Sequence, residues 1–242
     1  MSNAILYGFL SVIPLTIGSF LGSSFKIKEK FIGMIAALGA GAMIGALTFG
    51  LMEESFKLGG LDNSIIGFVV GGLLFILGDY LIIKVGGRGH KRIYSAEKST
   101  GWGIVLAAIL DGIPESIALG ASLVLNPKLG LIVLIGIILN NFPESTSSAY
   151  DLKKANKTNK FILSIWFFVA LLIFVFVILG YTLFSGISAG ATATIQAIAA
   201  GSILAMLATT MMPEAYKESG LNASLSTIAG FLLIFILSKL GA

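Results

Sequence analysis

Long apolar runs separated by short polar clusters set the rhythm of this chain. A helix needs about 20 apolar residues to cross roughly 30 Å of hydrocarbon. Eight stretches of that kind run approximately over 4–22, 32–52, 64–83, 101–123, 129–150, 161–184, 188–211 and 223–240. The polar breaks between them are too short to fold as domains. The pattern therefore predicts an all-α polytopic membrane protein, one transmembrane domain over residues 1–242 with eight transmembrane helices. No basic residue precedes the first run and no clear small-residue cleavage site follows it, so it reads as the first transmembrane helix rather than a signal peptide.

The distribution of cations orients these helices. Of 16 Lys and Arg, 13 fall in the odd-numbered breaks: Lys26, Lys28 and Lys30; Lys84, Arg88, Lys91, Arg92 and Lys98; Lys153, Lys154, Lys157 and Lys160; and Lys217. Only Lys57, Lys128 and Lys239 lie on the other side. Cytoplasmic loops accumulate Lys and Arg, so the odd breaks, including the basic loop at about 84–100, are expected in the cytoplasm of a multi-pass plasma-membrane protein with both termini outside. That accounts for the net charge of +4 without a nucleic-acid partner, since no soluble basic face is visible.

Composition narrows the chemistry. The chain is 56% hydrophobic and 12% charged, with no cysteine and one histidine. Thiolate nucleophiles, Cys-bound metals and His clusters are excluded, which leaves oxygen ligands. No nucleophile–base pair is apparent, so an enzyme is not expected and no cofactor is called for.

Two internal matches suggest inverted repeats. Residues 36–64 and 196–224 agree at ten of 29 positions, among them Ala37, Gly41, Leu47, Glu54, Lys57, Gly60 and Leu61. This relates helix two to helix seven, which cross in opposite directions, and extends to helices 1–3 with 6–8. The segments DGIPES (111–116) and NNFPES (140–145) relate helix four to helix five in the same inverted sense. Such symmetry gives outward- and inward-open states similar energies, as transporters require; chance recurrence of small residues is the alternative for the longer match.

An ionised side chain at the bilayer centre costs at least about 2.5–3.5 kcal/mol. Yet helix four carries Asp111 and Glu115 near its middle, and helix five carries Asn140, Asn141 and Glu144 at similar depth. Positions i and i+4 share a helix face, so Asp111 stacks with Glu115 and Asn140 with Glu144. Two such faces opposed would line a cavity with oxygen and attract a cation. Pro114 and Pro143 free the carbonyls of Leu110 and Leu139 as further ligands, with Ser116 and Ser145 in support. The competing reading has prolines that merely kink the helices and carboxyls that are protonated and hydrogen-bonded.

Elsewhere the expectations are plainer. Asp79 stands near the cytoplasmic end of helix three, in an interfacial or gating position or simply snorkelling. Glu54 and Glu214 are repeat mates on opposite faces, suited to entrance and exit. His90 reads as a solvated loop residue, Met43 as packing rather than a soft ligand, and Trp102 and Trp166 as packing or interfacial anchors.

On these motifs the chain resembles the ZIP (Zrt/Irt-like) family of divalent-metal transporters, of bacterial type, over essentially its whole length. The resemblance implies a metal site lined by the P-E motifs of helices four and five, and a transported divalent cation as substrate. Carried over by position, Asp111 stands where that family has a histidine and Gly112 where it has an asparagine, while Glu115, Asn140, Asn141 and Glu144 occupy ligand positions. Gly50 stands where a polar ligand is common. Losing the imidazole and gaining a carboxylate weakens any zinc preference and favours harder ions. The family's histidine-rich loop is reduced to His90, so loop-based metal sensing is not expected. A ZIP-like permease working by alternating access is the leading reading. A proton- or cation-coupled carrier of another solute, and a non-transporting scaffold, remain alternatives. The metal, the number of ions bound and the oligomeric state, a homodimer among the options, stay open.

Overall fold

The computed structural model describes residues 1–84 and 101–240, with backbone alone for 101–107. Arg88, His90, Lys91, Arg92, Lys98 and the side chain of Trp102 lie outside the described residues.

Among these, the chain is helical throughout: α1 (Ser2–Ser24), α2 (Glu29–Gly45), a π-helical segment (Ala46–Met52), α3 (Glu53–Lys84), α4 (Gly101–Leu125), α5 (Pro127–Lys154), α6 (Asn159–Phe184), α7 (Ala189–Met206), a second π-helical segment (Leu207–Met211), α8 (Met212–Ser219) and α9 (Asn222–Leu240). Seven helical runs among the described residues are long and apolar enough to cross a membrane. One of them, Glu29–Lys84, is 56 residues long, about 84 Å at 1.5 Å per residue and far more than one crossing needs. It is broken at Gly60, whose φ of 72° and ψ of −172° leave the helix. Gly220, at φ 60°, ends α8 in the same way. Both angles suit a residue without Cβ. The breaks expected at 53–63 and 212–222 are therefore only partly loops. Helix continues through Glu53–Gly59 and Met212–Ser219, supported in the first by the Lys57–Glu53 pair at 2.7 Å, an i,i+4 arrangement.

Local chemistry sets the other ends. Asn126 accepts from the Lys128 N–H just ahead of α5, and Pro127 opens that helix where no N–H is needed. Thr158 and Ser188 cap α6 and α7 through their hydroxyls. The one-residue α4–α5 connection makes these two helices antiparallel neighbours, with Gly130 seated against Leu123.

Two groups of helices result. In one, α1 packs on α5, α4 on α6, and α1 on α6; in the other, α3 packs on α7 and α2 on α9. Small residues bring backbones into contact. A Cβ on Gly201 would lie 2.0 Å from the Phe68 carbonyl oxygen, and one on Gly41 1.9 Å from that of Thr227. A Cβ on Gly71 would likewise lie 1.9 Å from the Ile198 carbonyl oxygen, and one on Gly230 1.9 Å from that of Leu38. Ser55 donates to the Ala193 carbonyl at 2.8 Å, while a Cβ on Gly33 would lie 3.1 Å from the Ala215 carbonyl oxygen.

One face, called here the terminal face, gathers the start of α1, where the Met1 amine donates to the Tyr181 hydroxyl, the α4–α5 turn, and the end of α9, where Lys239 lies over Phe49 and Phe235. The opposite face carries the Lys154–Glu29 ion pair and Lys157 over Phe161. Wide apolar surfaces, such as Ile65, Ile66, Val69, Leu73, Leu74, Ile76 and Leu77 on α3, face outward, as a lipid-facing helix requires.

Candidate metal site

The α4–α5 hairpin brings the two P-E-S segments side by side. Asn140 Nδ2 donates to Glu115 Oε1 at 2.8 Å, and the two residues are only 1% and 2% exposed. Asp111 and Glu144 are each one helical turn, about 6 Å, nearer the basic face, and both act electrostatically on Glu115. Two layers follow, Glu115 with Asn140 and Asp111 with Glu144. Burial eases from the first to the second, since Asp111 is 9% exposed and Glu144 half-buried. On the terminal side the walls are apolar instead: Leu119 and Leu123 of α4, Leu134 and Ile137 of α5, and Leu47 and Leu51 of the first π segment are all buried in one cluster.

The matched prolines act alike. With each proline unable to donate, the serine two residues on turns its hydroxyl back to a carbonyl four residues earlier, Ser116 to Gly112 at 2.5 Å and Ser145 to Asn141 at 2.8 Å. The Leu139 carbonyl freed by Pro143 lies against Gly39 of α2, where a Cβ would come within 2.5 Å of it.

Asn141 has a different environment from Asn140. Its Nδ2 donates to the Ser11 carbonyl at 2.9 Å, and Ser145 approaches the Pro14 carbonyl at 3.3 Å, so α1 is pinned along α5. Gly18 completes this seam, since a Cβ there would lie 2.2 Å from Ser145 Oγ. Ser11, Pro14 and Gly18 were not evident from sequence as parts of the site, although Pro14 in an apolar run was a signal. Among the described residues no three His, Cys, Asp or Glu side chains converge as a ready metal cage. The chemistry on offer is one sealed carboxylate–amide pair beside two further carboxylates, a hard-oxygen set suited to divalent cations.

Other residues singled out in the sequence have their own surroundings. Met43 is 1% exposed within the main apolar cluster, and Trp166 is 1% exposed against Leu15, Leu152 and Val169, both in packing roles. Glu54 and Glu214 are half-buried near their helix starts.

No curated protein matches the chain. A family model described as "ZIP Zinc transporter" matches residues 86–238, well over half of the sequence and including both P-E-S segments. Its helices are long and apolar enough to cross a membrane, and the members of that family are metal transporters rather than enzymes: the chain belongs to the ZIP zinc transporter family.

Proposed function

We propose that this protein is a permease for a divalent cation, which binds between α4 and α5 to Glu115, Glu144 and Asp111 with Asn140 and Asn141 as neutral oxygen ligands. The observation that carries the reading is the buried Asn140–Glu115 contact, which joins the two P-E-S motifs at one depth. Nothing in packing calls for three carboxylates there, and burying them without a cation is costly. A carboxylate in the histidine position shifts preference from zinc toward manganese or iron.

Eight crossings and inverted symmetry complete the proposal. Gly60 and Gly220 share their backbone form 160 residues apart, and the two π segments are centred at the same spacing. The close contacts pair reciprocally as well: Gly41 with Thr227 answers Gly201 with Phe68, and Gly71 with Ile198 answers Gly230 with Leu38. Such exchange of partners is what a two-fold relation produces. On this reading Glu29–Lys84 crosses twice, the basic face is cytoplasmic, and the site, closed by apolar walls on the terminal side, opens inward. Access alternates as α1, α4, α5 and α6 move against the other group.

The test is uptake of Mn, Fe, Co, Zn, Cd, Mg and Ca into proteoliposomes by the wild type, Glu115→Gln and Glu144→Gln. Transport of at least one divalent metal, lost in both variants, is expected. Wild-type uptake by the variants refutes the site, and no uptake of any metal by the wild type refutes the function.

A further inference from the structure

Gln196 does not suit its surroundings. It is the chain's only glutamine, it lies in α7 with no exposure, and neither its Nε2 nor its Oε1 meets a hydrogen-bonding partner. Ser122 of α4 is likewise wholly buried with its hydroxyl unpartnered. A buried primary amide with four unmet bonds is expensive, and a leucine would fill the space without that cost. The framework does not ask for the amide either. The position 160 residues earlier, its counterpart in the repeat, is Ala36.

Its place on the helix is informative. The side of α7 against α3 is formed by Thr194, Ala197, Ile198 and Gly201, which meet Gly67, Gly71 and Phe68. Gln196 is off that side, three and four residues before Ala199 and Ala200, which join the main apolar cluster that also holds Leu119 and Leu123 of α4. Thr192, also buried, lies one turn farther out. On α4, which packs against α7, Ser122 stands seven residues beyond Glu115 on the same face, about 10 Å nearer the terminal face. Polar side chains thus lead from the terminal end of α7 and α4 toward Glu115 through walls that are otherwise apolar.

We propose that Gln196, assisted by Ser122, is a transient oxygen station for the transported divalent cation on its way between the terminal face and Glu115. The inference rests on the permease reading above. A neutral amide oxygen can replace one water of a hydrated cation without holding it, as passage through several sites requires, whereas a carboxylate would retain it. In the packing seen here the amide is unmet; parting of α7 from α4 lets water and then the cation meet it, so Gln196 also disfavours the sealed arrangement.

The experiment measures initial uptake rate, KM and thermal unfolding of purified Gln196→Leu, Gln196→Met, Gln196→Glu, Ser122→Ala and Glu115→Gln, with manganese and zinc as probes. Gln196→Leu and Gln196→Met should lose at least tenfold in uptake rate while their unfolding midpoints stay level or rise, and Ser122→Ala should lose a few-fold. Gln196→Glu should lower KM and the maximal rate together. Wild-type uptake by folded Gln196→Leu, or a loss of uptake that merely tracks a fall in midpoint across the Leu, Met and Glu variants, overturns the station. If Glu115→Gln is inactive while Gln196→Leu transports normally, only this inference fails. If the wild type moves neither manganese nor zinc nor any other divalent metal, the permease reading fails with it.

Discussion

Alanine at Gly41 or Gly201 probes the relation between the two halves directly. The new Cβ would lie 1.9 Å from the Thr227 oxygen in the first case and 2.0 Å from the Phe68 oxygen in the second. Carbon and carbonyl oxygen come no closer than about 3.3 Å in ordinary interhelical contacts, so each helix pair must part by roughly 1.3 Å. Neither obstacle can swing aside, because both are backbone. Overpacking of this sort costs about 1–3 kcal/mol, and the lost Cα–H···O contacts add roughly 0.5–1 kcal/mol. A total of about 1.5–4 kcal/mol lowers the unfolding midpoint of a chain this long by roughly 3–15 °C. Gly186→Ala is the control, since nothing lies within 4 Å of its Cβ position, and it should change stability by less than about 0.5 kcal/mol. Thermal unfolding in detergent, compared at one scan rate, is the assay. Gly41→Ala and Gly201→Ala should fall by nearly the same amount. A large drop in one with no change in the other refutes the reciprocal packing, and with it the structural support for the repeat.

Four further outcomes follow from the site. Glu115→Gln and Glu144→Gln should each weaken metal binding by about 1.5–3 kcal/mol, roughly 10- to 150-fold, through loss of a charged ligand, as titration of purified protein will register. Uptake should drop as pH falls, because protons compete with the cation for the carboxylates, and a pH-independent metal affinity would contradict that. Asp111→His should move preference toward zinc over manganese in a competition uptake assay. Cysteine placed at Lys91 should resist an impermeant thiol reagent added outside intact cells, in a chain with no other thiol; external labelling reverses the orientation.

Much of the frame was legible because hydrocarbon imposes a simple rule on sequence. Runs of apolar residues mark the helices, and Pro127, Gly60 and Gly220 mark turns whose geometry admits few other residues. Where hydropathy misled was at Glu53–Gly59 and Met212–Ser219. Loss of apolarity there reads as the end of a helix, but both helices run on past the apolar stretch, the first of them with the i,i+4 pair Lys57–Glu53. The π segments had no visible signature, since the turn they give the helix face does not show against a background of Leu, Met and Ala. At the site, Asp111, Glu115, Asn140 and Glu144 stood out by their cost in a membrane. Sequence could not separate the neighbours Asn140 and Asn141, because the difference lies in their partners: one meets Glu115, 25 residues away, and the other the Ser11 carbonyl, 130 residues away. Gln196 was equally visible as a polar residue in an apolar helix, and became informative only once its amide was found buried without a partner.

On the proposed permease reading with its inverted repeat, the framework contacts and the polar groups differ in symmetry, and that difference bears on the proposed mechanism. Backbone contacts at Gly41, Gly201, Gly71 and Gly230 are near copies of one another, so two arrangements of the helix groups can lie close in energy. The polar contents are not copied. Ser55 bonds both Ser64 and the Ala193 carbonyl on the terminal side, where the related contact joins Ala215 and Gly33, and Gln196 answers to Ala36. Equal backbones with unequal linings let the two states differ in how they hold a cation without differing much when none is bound. On that reading the carboxylates decide which state is loaded. Asp111, Glu115 and Glu144 can carry up to three negative charges against the two positive charges of one divalent ion, so electroneutrality in a low-dielectric site calls for a proton or a second cation beside the first. In the proposed permease, release of the cation toward the basic face, where Asp111 and Glu144 are the more exposed layer, and its retention at the sealed Glu115–Asn140 layer would thus draw on the same three groups.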